Sequence, residues 1–272
     1  MDINITGCIV LYDNNAEMLK RVIDSFLNTT LNVKLFLIDN SYSDRLRDIA
    51  TDNRIDYFHN PSNPGFGTSH NIAILKAIDL KSKYHLILNP DIYFDKEVTN
   101  TLFEYGEIHP NIGLMMPLVL YPNGSIQHLC RLLPSPSGLF FRRFFSKFNF
   151  VKKIKEKSEL KFTGYNKIIN VPYLSGCFMF CRTEVLSEIG GFDERFFMYM
   201  EDVDLSRRIH KRYNTVFYPN VKIYHNFEKA SFKNLKMFKY HIISAIKYFN
   251  KWGWIFDIER IKINRQCLKN LK

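Results

Sequence analysis

The densest group of ionisable side chains is Glu201-Asp202-Val203-Asp204, three carboxylates within four positions. It is entered through the bulky apolar run Phe196-Phe197-Met198-Tyr199-Met200. Crowded carboxylates raise the proton affinity of at least one of them, which suits a general base. A helix N-terminus with acids on its dipole would use the same residues, but a dipole does not call for the apolar lead-in. Asp91 follows the apolar run Tyr84–Leu88 and the pair Asn89-Pro90. A carboxylate at a strand end can meet a divalent cation that also binds phosphate oxygens; capping or turning the chain after Pro90 is the alternative. Asn63-Pro64-Gly65-Phe66-Gly67-Thr68 is a turn feeding a helix. Its glycines allow close backbone approach, and a helix N-terminus favours negative charge. It departs from the dinucleotide fingerprint, because His70 stands where the third glycine would be. An ordinary turn into a helix reads the same way.

These residues need elements to present them. Ile5–Tyr12, Val33–Ile38 and Tyr84–Leu88 are short apolar runs suited to buried strands. Asn14 and Asn15 can cap a helix whose apolar face is Leu19, Val22, Ile23, Phe26 and Leu27. A short helix near 44–51, a strand near 55–58 and a helix from about Ser69 to Leu80 follow. Strands alternating with helices imply a mostly parallel α/β sheet, in which ligands bind beyond the carboxyl ends of the strands. Asp39, the Gly65–Gly67 turn and Asp91 fall at or near such ends. Further on, Leu114–Tyr121 and Thr215–His225 read as strands, and Val171–Cys181 as a strand around Gly176. A helix is expected from Glu201 through Arg212, and a basic, aromatic one over Phe232–Phe249. Residues 131–170 carry little strand signal.

The 272 residues include 24 Phe and 15 Tyr, with a net charge of +11. At 46% hydrophobic the chain is not a disordered one. The charge is localised. Residues 1–130 hold 10 Lys/Arg against 15 Asp/Glu, 131–170 hold 10 against 2, and 222–272 hold 12 against 3. The body is mildly acidic, and the basic character belongs to an insertion and a C-terminal tail. Five cysteines without a C-x-x-C pair point away from a zinc site or a disulfide framework, and towards a reducing compartment. Met1-Asp2-Ile3-Asn4 lacks the basic start of a secretory signal, and no apolar run is long enough to span a bilayer as a helix.

Taken in order, LYDN, LIDNSYSD, NPGFG with a following Asn, LNPD, SGCFMF, GGFDERFFMYMEDVDLSRR and the late H-N-F-E-K-A-S resemble the family-2 glycosyltransferases of the GT-A fold. They most resemble the bacterial rhamnosyltransferase-like branch. The match runs over roughly residues 3–231. The resemblance implies an α/β fold with a mostly parallel central sheet flanked by helices, and a C-terminal helical segment. It places Leu11, Tyr12, Asp39, Asn40, Gly65, Gly67, Asn71, Asn89, Ser175, Gly176 and Glu201 about the nucleotide-sugar, with Asp39 on the base. Asp91 would meet the metal-bound diphosphate, with Asn89 replacing the first acid of the D-x-D motif. His225 would complete a Mg²⁺ or Mn²⁺ site, although a histidine satisfied within the core is the other reading. Asp202 matches the acid of the family's E-D motif, the general base.

The resemblance further implies an inverting transferase moving a sugar, L-rhamnose from dTDP-rhamnose in the first instance, to a saccharide or undecaprenyl-diphosphate-linked acceptor of a bacterial surface polysaccharide. A UDP-hexose donor is the alternative. The expected organisation is a catalytic domain over 1–225, with a basic, Phe-rich insertion at about 131–170, and a basic helical segment over 226–272. Leu139–Phe150 holds six Phe and three Lys/Arg, with Phe141, Phe144, Phe145 and Phe148 on one helical face. That is the composition of a helix lying on an anionic membrane surface. The tail repeats it, with Phe232, Leu235, Phe238, Ile242, Ala245, Ile246 and Phe249 at helical spacing; packing on the catalytic domain is the alternative there. The expected location is cytoplasmic, peripheral on the inner face of the inner membrane. A nucleic-acid-binding protein would account for the charge and the aromatics. It would not account for the acidic N-terminal half or for the 201–204 acids, so no nucleic-acid partner is expected.

Overall fold

A computed structural model describes residues 2–145, 147–226 and 234–271. Phe227–Ser231 of the late H-N-F-E-K-A-S run, and Phe232 and Lys233 of the expected tail helix, lie outside the described residues.

Strand β1 (Ile5–Leu11) is followed by helix α1 (Ala16–Leu27), which Asn15 caps by accepting from the Met18 amide at 3.0 Å. Leu19, Val22, Ile23 and Phe26 of α1 are buried, as their spacing requires. Strands β2 (Val33–Asp39), β3 (Ile55–His59) and β4 (Tyr84–Leu88) then pair in parallel, with β1 between β2 and β4. Leu11 lies opposite Asp39, and Ile9 opposite Leu88, so these carboxyl ends share one edge. Helix α2 (Phe66–Asp79) begins about one turn before the expected Ser69, because Gly65 rather than a side chain forms its start. The helix expected near 44–51 is a single 3-10 turn, Arg47–Ile49.

Three elements lacked a clear signal: β5 (Ile92–Phe94), α3 (Glu97–Ile108) and α6 (Thr183–Ile189). Strand β6 (Ile112–Leu120) pairs in parallel with β11 (Asn214–His225). Between β4 and β6 runs β10 (Phe178–Arg182), antiparallel to both, with Phe178 opposite Leu88. The sheet order is β3-β2-β1-β4-β10-β6-β11-β5, and β8 (Ile169–Asn170) pairs with β11. Gly176 is not within a strand. It lies in the loop Ser175–Cys177 between β9 (Tyr173–Leu174) and β10, where there is no room for a larger residue against Asp202. Strand β9 pairs with β7 (Cys130–Arg131) as a separate ribbon.

The Phe-rich block is not one helix. Helix α4 (Pro136–Phe144) is capped by Ser135 and ends before α5 (Asn149–Ser158), so Phe145 and Phe148 leave the face of Phe141 and Phe144. Helix α7 (Glu201–His210) ends two residues short of Arg212. Helices α8 (Leu235–Trp252) and α9 (Ile258–Asn270) close the chain. Tyr248 and Phe249 of α8 join Phe196, Met200 and Val203 in one buried cluster, which explains the apolar lead-in to the acids.

Candidate active site

Tyr199 and Met200 are both left-handed, with φ of 69° and 68°. Two bulky residues in that region cost about 1–3 kcal/mol each, a strain held by the burial of Met200 and its neighbours. The kink starts α7 so that Asp202 faces the Ser175–Cys177 loop. Asp202 Oδ2 accepts from the Gly176 amide at 2.9 Å and from the Tyr173 hydroxyl at 3.1 Å, and Oδ1 accepts from the Val203 amide at 2.8 Å. Burial raises its pKa, and these three donors offset part of the rise. Glu201 is pushed well above the carboxylate range by burial and by the Asp202 charge, and its Oε2 has no hydrogen-bond partner among the described residues. Asp204 points away and is fully buried. It accepts from Trp252 Nε1 and Lys251 Nζ, each at 2.7 Å, and from Arg208 Nε at 2.8 Å. The three acids thus divide into one that faces the cleft, one held by burial and one that is structural.

Strand β5 pairs antiparallel with the end of β11, setting His225 opposite Ile92 and bringing Asp91 Oδ2 to 3.3 Å from His225 Nε2. Gln127 braces the histidine: its Oε1 is 3.0 Å from His225 Nδ1, and its Nε2 donates to the His225 carbonyl at 2.7 Å. Burial opposes a charge on His225, but neighbouring Cys177 and Asp91 outweigh it and raise the pKa to about 10. Asp91 Oδ1 is shielded from solvent and has no hydrogen-bond partner among the described residues. A carboxylate oxygen left so, beside a histidine oriented through its other nitrogen, fits a divalent cation that displaces the imidazolium proton as it binds. No group of three or more protein ligands is gathered there among the described residues, so phosphate oxygens would have to complete the coordination. Asn89 adjoins the same loop, its amide donating to the Cys177 carbonyl at 2.9 Å.

The remaining candidates divide. Leu11 is buried at the end of β1, whereas Tyr12 is exposed. A hollow of about 510 Å³ beside them is lined by Asp13, Asn14, Asn15, Ala16, Arg45 and Leu46. Asp39 is wholly buried; Tyr57 donates to its Oδ2 at 2.5 Å and the Ser41 amide to its Oδ1 at 2.9 Å. Asn40 is closed on Ser69 through two hydrogen bonds of 2.8 and 3.1 Å. Asn71 pins α2 to the loop before α7: its Nδ2 donates to the Phe192 carbonyl at 2.9 Å, and its Oδ1 accepts from the Phe192 amide at 2.8 Å. Gly65, at φ 105°, lies where a Cβ would collide with the Phe197 backbone, and a Cβ on Gly67 would come within 3.0 Å of Phe192. These glycines and Asn71 lock the start of α2 to the segment that aims Glu201 and Asp202. Ser175 and Gly176 lie between Asp202 and Cys177. Asp91, His225, Asn89, Ser175, Gly176, Glu201 and Asp202 therefore gather around the ends of β4 and β10. Leu11, Tyr12, Asp39 and Asn40 sit further along the same edge.

Sequence reasoning missed Tyr173, Gln127 and Arg131, none of which stands in a recognisable pattern, and gave no role to Cys177 of the SGCFMF run. It also missed the turn joining α8 to α9, where Ile255, Phe256 and Ile258 are 73%, 87% and 75% exposed. Its signal was available: Trp254-Ile255-Phe256 directly after Gly253 has no periodicity that would bury it.

This arrangement is that of a GT-A transferase: a parallel sheet whose carboxyl edge carries one acid beside a histidine and another at a helix start. The family model for glycosyl transferase family 2 matches residues 8–190, and the chain belongs to that family of glycosyltransferases. It is 27% identical over 236 residues to the N-acetylglucosaminyl-diphospho-decaprenol L-rhamnosyltransferase of Mycobacterium tuberculosis, covering 80% of this chain and 74% of that one. It is 26% identical over 250 residues to the rhamnosyltransferase WbbL of Escherichia coli, covering 88% and 90%. Among solved structures, GalNAc-T7 with UDP, GalNAc and Mn²⁺ superposes with a TM-score of 0.63 at 14% identity. That match covers 93% of this chain but half of GalNAc-T7.

Proposed function

We propose that the protein is an inverting rhamnosyltransferase. It would move L-rhamnose from dTDP-rhamnose to a saccharide on a polyprenyl diphosphate such as undecaprenyl diphosphate, during assembly of a bacterial surface polysaccharide. The observation that carries the reading is the placing of Asp202. It is held by Tyr173 of β9 and by Gly176 of the short loop that follows, whose Cys177 adjoins His225, the partner of Asp91. Asp202 takes the proton of the acceptor hydroxyl, whose oxygen bonds to the anomeric carbon while the bond from that carbon to the nucleoside diphosphate breaks on the opposite face. Asp91 and His225 would hold Mg²⁺ or Mn²⁺, which would offset the charge developing on the leaving diphosphate. The two rhamnosyltransferases among the relatives support the donor class, and the name of the mycobacterial one supports a diphosphate-linked acceptor.

The acceptor lipid calls for a membrane surface. Among the described residues no helix is long and apolar enough to cross a membrane. The α4–α5 hairpin, however, presents Phe140, Phe144, Phe148 and Phe150 more than half exposed, with Lys147, Lys152 and Lys153 beside them. Exposed rings with adjacent cations suit the interface of an anionic bilayer. The enzyme would then work in the cytoplasm, on the inner face of the inner membrane.

The test is Asp202→Asn, which keeps shape and removes the proton-accepting charge. Transfer should fall about 10²- to 10⁴-fold, the scale of a positioned general base, with dTDP-rhamnose affinity unchanged. Loss of donor affinity with the saturated rate intact would make Asp202 a binding residue instead.

A further inference from the structure

Two arginines near Tyr173 are not used by the reaction as described. In the β7–β9 ribbon Arg131 lies directly opposite Tyr173, whose hydroxyl bonds Asp202. Among the described residues its one carboxylate within 4 Å, Glu159, is loose at 3.8 Å and is shared with Lys161 at 3.7 Å, while the Asp202 charge acts on it from further off. Arg131 Nε is shielded from solvent with no hydrogen-bond partner among the described residues. Arg142 of α4 lies one turn after Leu139, which packs against the buried cluster that holds Tyr173, and it is within electrostatic reach of Arg131, Tyr173 and Glu159. It makes no hydrogen bond or ion pair with a described residue. Its neighbour Arg143 goes the other way, stacking on Phe238 at 4.3 Å. Two guanidinium groups held together with so little compensation repel each other unless an anion joins them.

The order along Tyr173–Cys177 says which anion. Arg131 stands at the Tyr173 end, Asp202 is bonded from Tyr173 and Gly176, and Cys177 at the other end adjoins His225, which meets Asp91. Four residues span at most about 14 Å. The donor's diphosphate belongs with Asp91 and His225, so the arginines lie across the base from it, on the acceptor side. Helix α4 meanwhile exposes Phe140 and Phe144 to the surroundings. One short helix thus carries apolar rings outward and a guanidinium inward.

We propose that Arg131 and Arg142 bind the diphosphate of the lipid-linked acceptor, so that the enzyme selects its acceptor by that group as well as by its sugar. Arginine suits this because its planar fork donates two hydrogen bonds to phosphate oxygens. The inference rests on the reading of the acceptor as a sugar diphospholipid.

The experiment measures binding of two probes to the full chain by calorimetry, without donor: N-acetylglucosamine on a short-alkyl diphosphate, and the neutral alkyl N-acetylglucosaminide. Wild type should prefer the diphosphate. Arg142→Gln should cut that preference at least about tenfold, the scale of one lost charge-assisted contact. Arg131→Lys, which keeps a charge opposite Glu159 but loses the fork, should cut it as well. A preference intact in both variants overturns the proposal. So does a fall in dTDP affinity in its place, which would assign the arginines to the donor. A loss of binding to phosphatidylglycerol vesicles with the preference intact would assign them to lipid headgroups and likewise overturn it. A wild type without preference between the probes removes the acceptor reading itself, and the proposal with it.

Discussion

Tyr173→Phe tests how Asp202, the proposed base, is tuned. The Tyr173 hydroxyl donates one of three hydrogen bonds to the Asp202 carboxylate, and the Gly176 and Val203 amides supply the others. Burial already raises the Asp202 pKa, and each donor pulls it down by favouring the charged form. Removing one therefore raises it further. A hydrogen bond to a charged group is worth about 1.5–3 kcal/mol. Asp202 is only half-buried and keeps two donors, so the low end applies, which is about one pH unit. Phenylalanine fills the same volume and leaves no donor stranded, so the fold should hold. The assay is kcat/KM for transfer across the acidic limb, beside dTDP-rhamnose affinity. The limb should move up by about one unit with donor affinity and the plateau rate little changed. The stability sign is also fixed. A carboxyl raised in the folded state stabilises the fold at acid pH, and that contribution is lost as pH rises through its folded value. The variant's loss should lie at higher pH than the wild type's. A limb that stays put, or a rate reduced equally at every pH, would refute the account and make Tyr173 a substrate contact.

Asp91→Asn should cut transfer by at least about 10²-fold, the scale of a transition-state electrostatic contact, and should weaken stabilisation by Mn²⁺ plus dTDP in a thermal-shift titration; near wild-type turnover in excess Mg²⁺ would remove Asp91 from the diphosphate site. Replacing Phe140, Phe144 and Phe148 by Ser should release the protein from anionic vesicles while sparing transfer to a short soluble acceptor, and unchanged flotation would return these rings to a contact between copies. Asp204→Ala removes the buried carboxylate shared by Arg208, Trp252 and Lys251, of which Lys251 keeps Asp193 at 2.7 Å, and should destabilise by about 3–5 kcal/mol in chemical denaturation; a loss below about 1 kcal/mol would show the network to be no better than a surface pair.

The strands that carry the candidate site's edge were legible because β1, β2 and β4 are buried on both faces and read as unbroken apolar runs. The same property hid strand direction. Phe178–Arg182 is as apolar as its neighbours, and nothing in it says that β10 runs antiparallel between β4 and β6. Gly176 seemed part of that strand because its flanks are apolar, whereas its role is to bring an amide within reach of Asp202. Asp202 was legible from the local acid cluster, and Asp91 from a strand end. Their partners were not, because Tyr173, Gln127 and Arg131 reach the site through pairings distant in sequence. The Phe-rich segment misled for a different reason. Composition gave its amphipathic character, but Phe141, Phe144, Phe145 and Phe148 fit helical spacing so well that the break after Phe144 was invisible.

Helix α7 shows why three acids in four positions were needed at all. Successive residues on a helix turn by about 100°, so Asp202 and Asp204 cannot face the same way. Asp202 looks into the cleft, and Asp204 looks at Lys251 and Trp252 of the C-terminal helices. One turn further, Arg207 makes two hydrogen bonds of 2.7 Å to Asp257, at the cap of α9, and lies over the Trp252 ring at 4.0 Å. Asp257 in turn is held below the usual carboxylate range; burial opposes this, and its bond from Arg207 outweighs it. The strained entry through Tyr199 and Met200 would relax if α7 were free to slide. A network of buried charges on its far side makes sliding expensive, because moving α7 strands each of them. The basic C-terminal helices, which by composition could be a solvated tail, therefore brace the helix whose first turn carries Asp202, the proposed base.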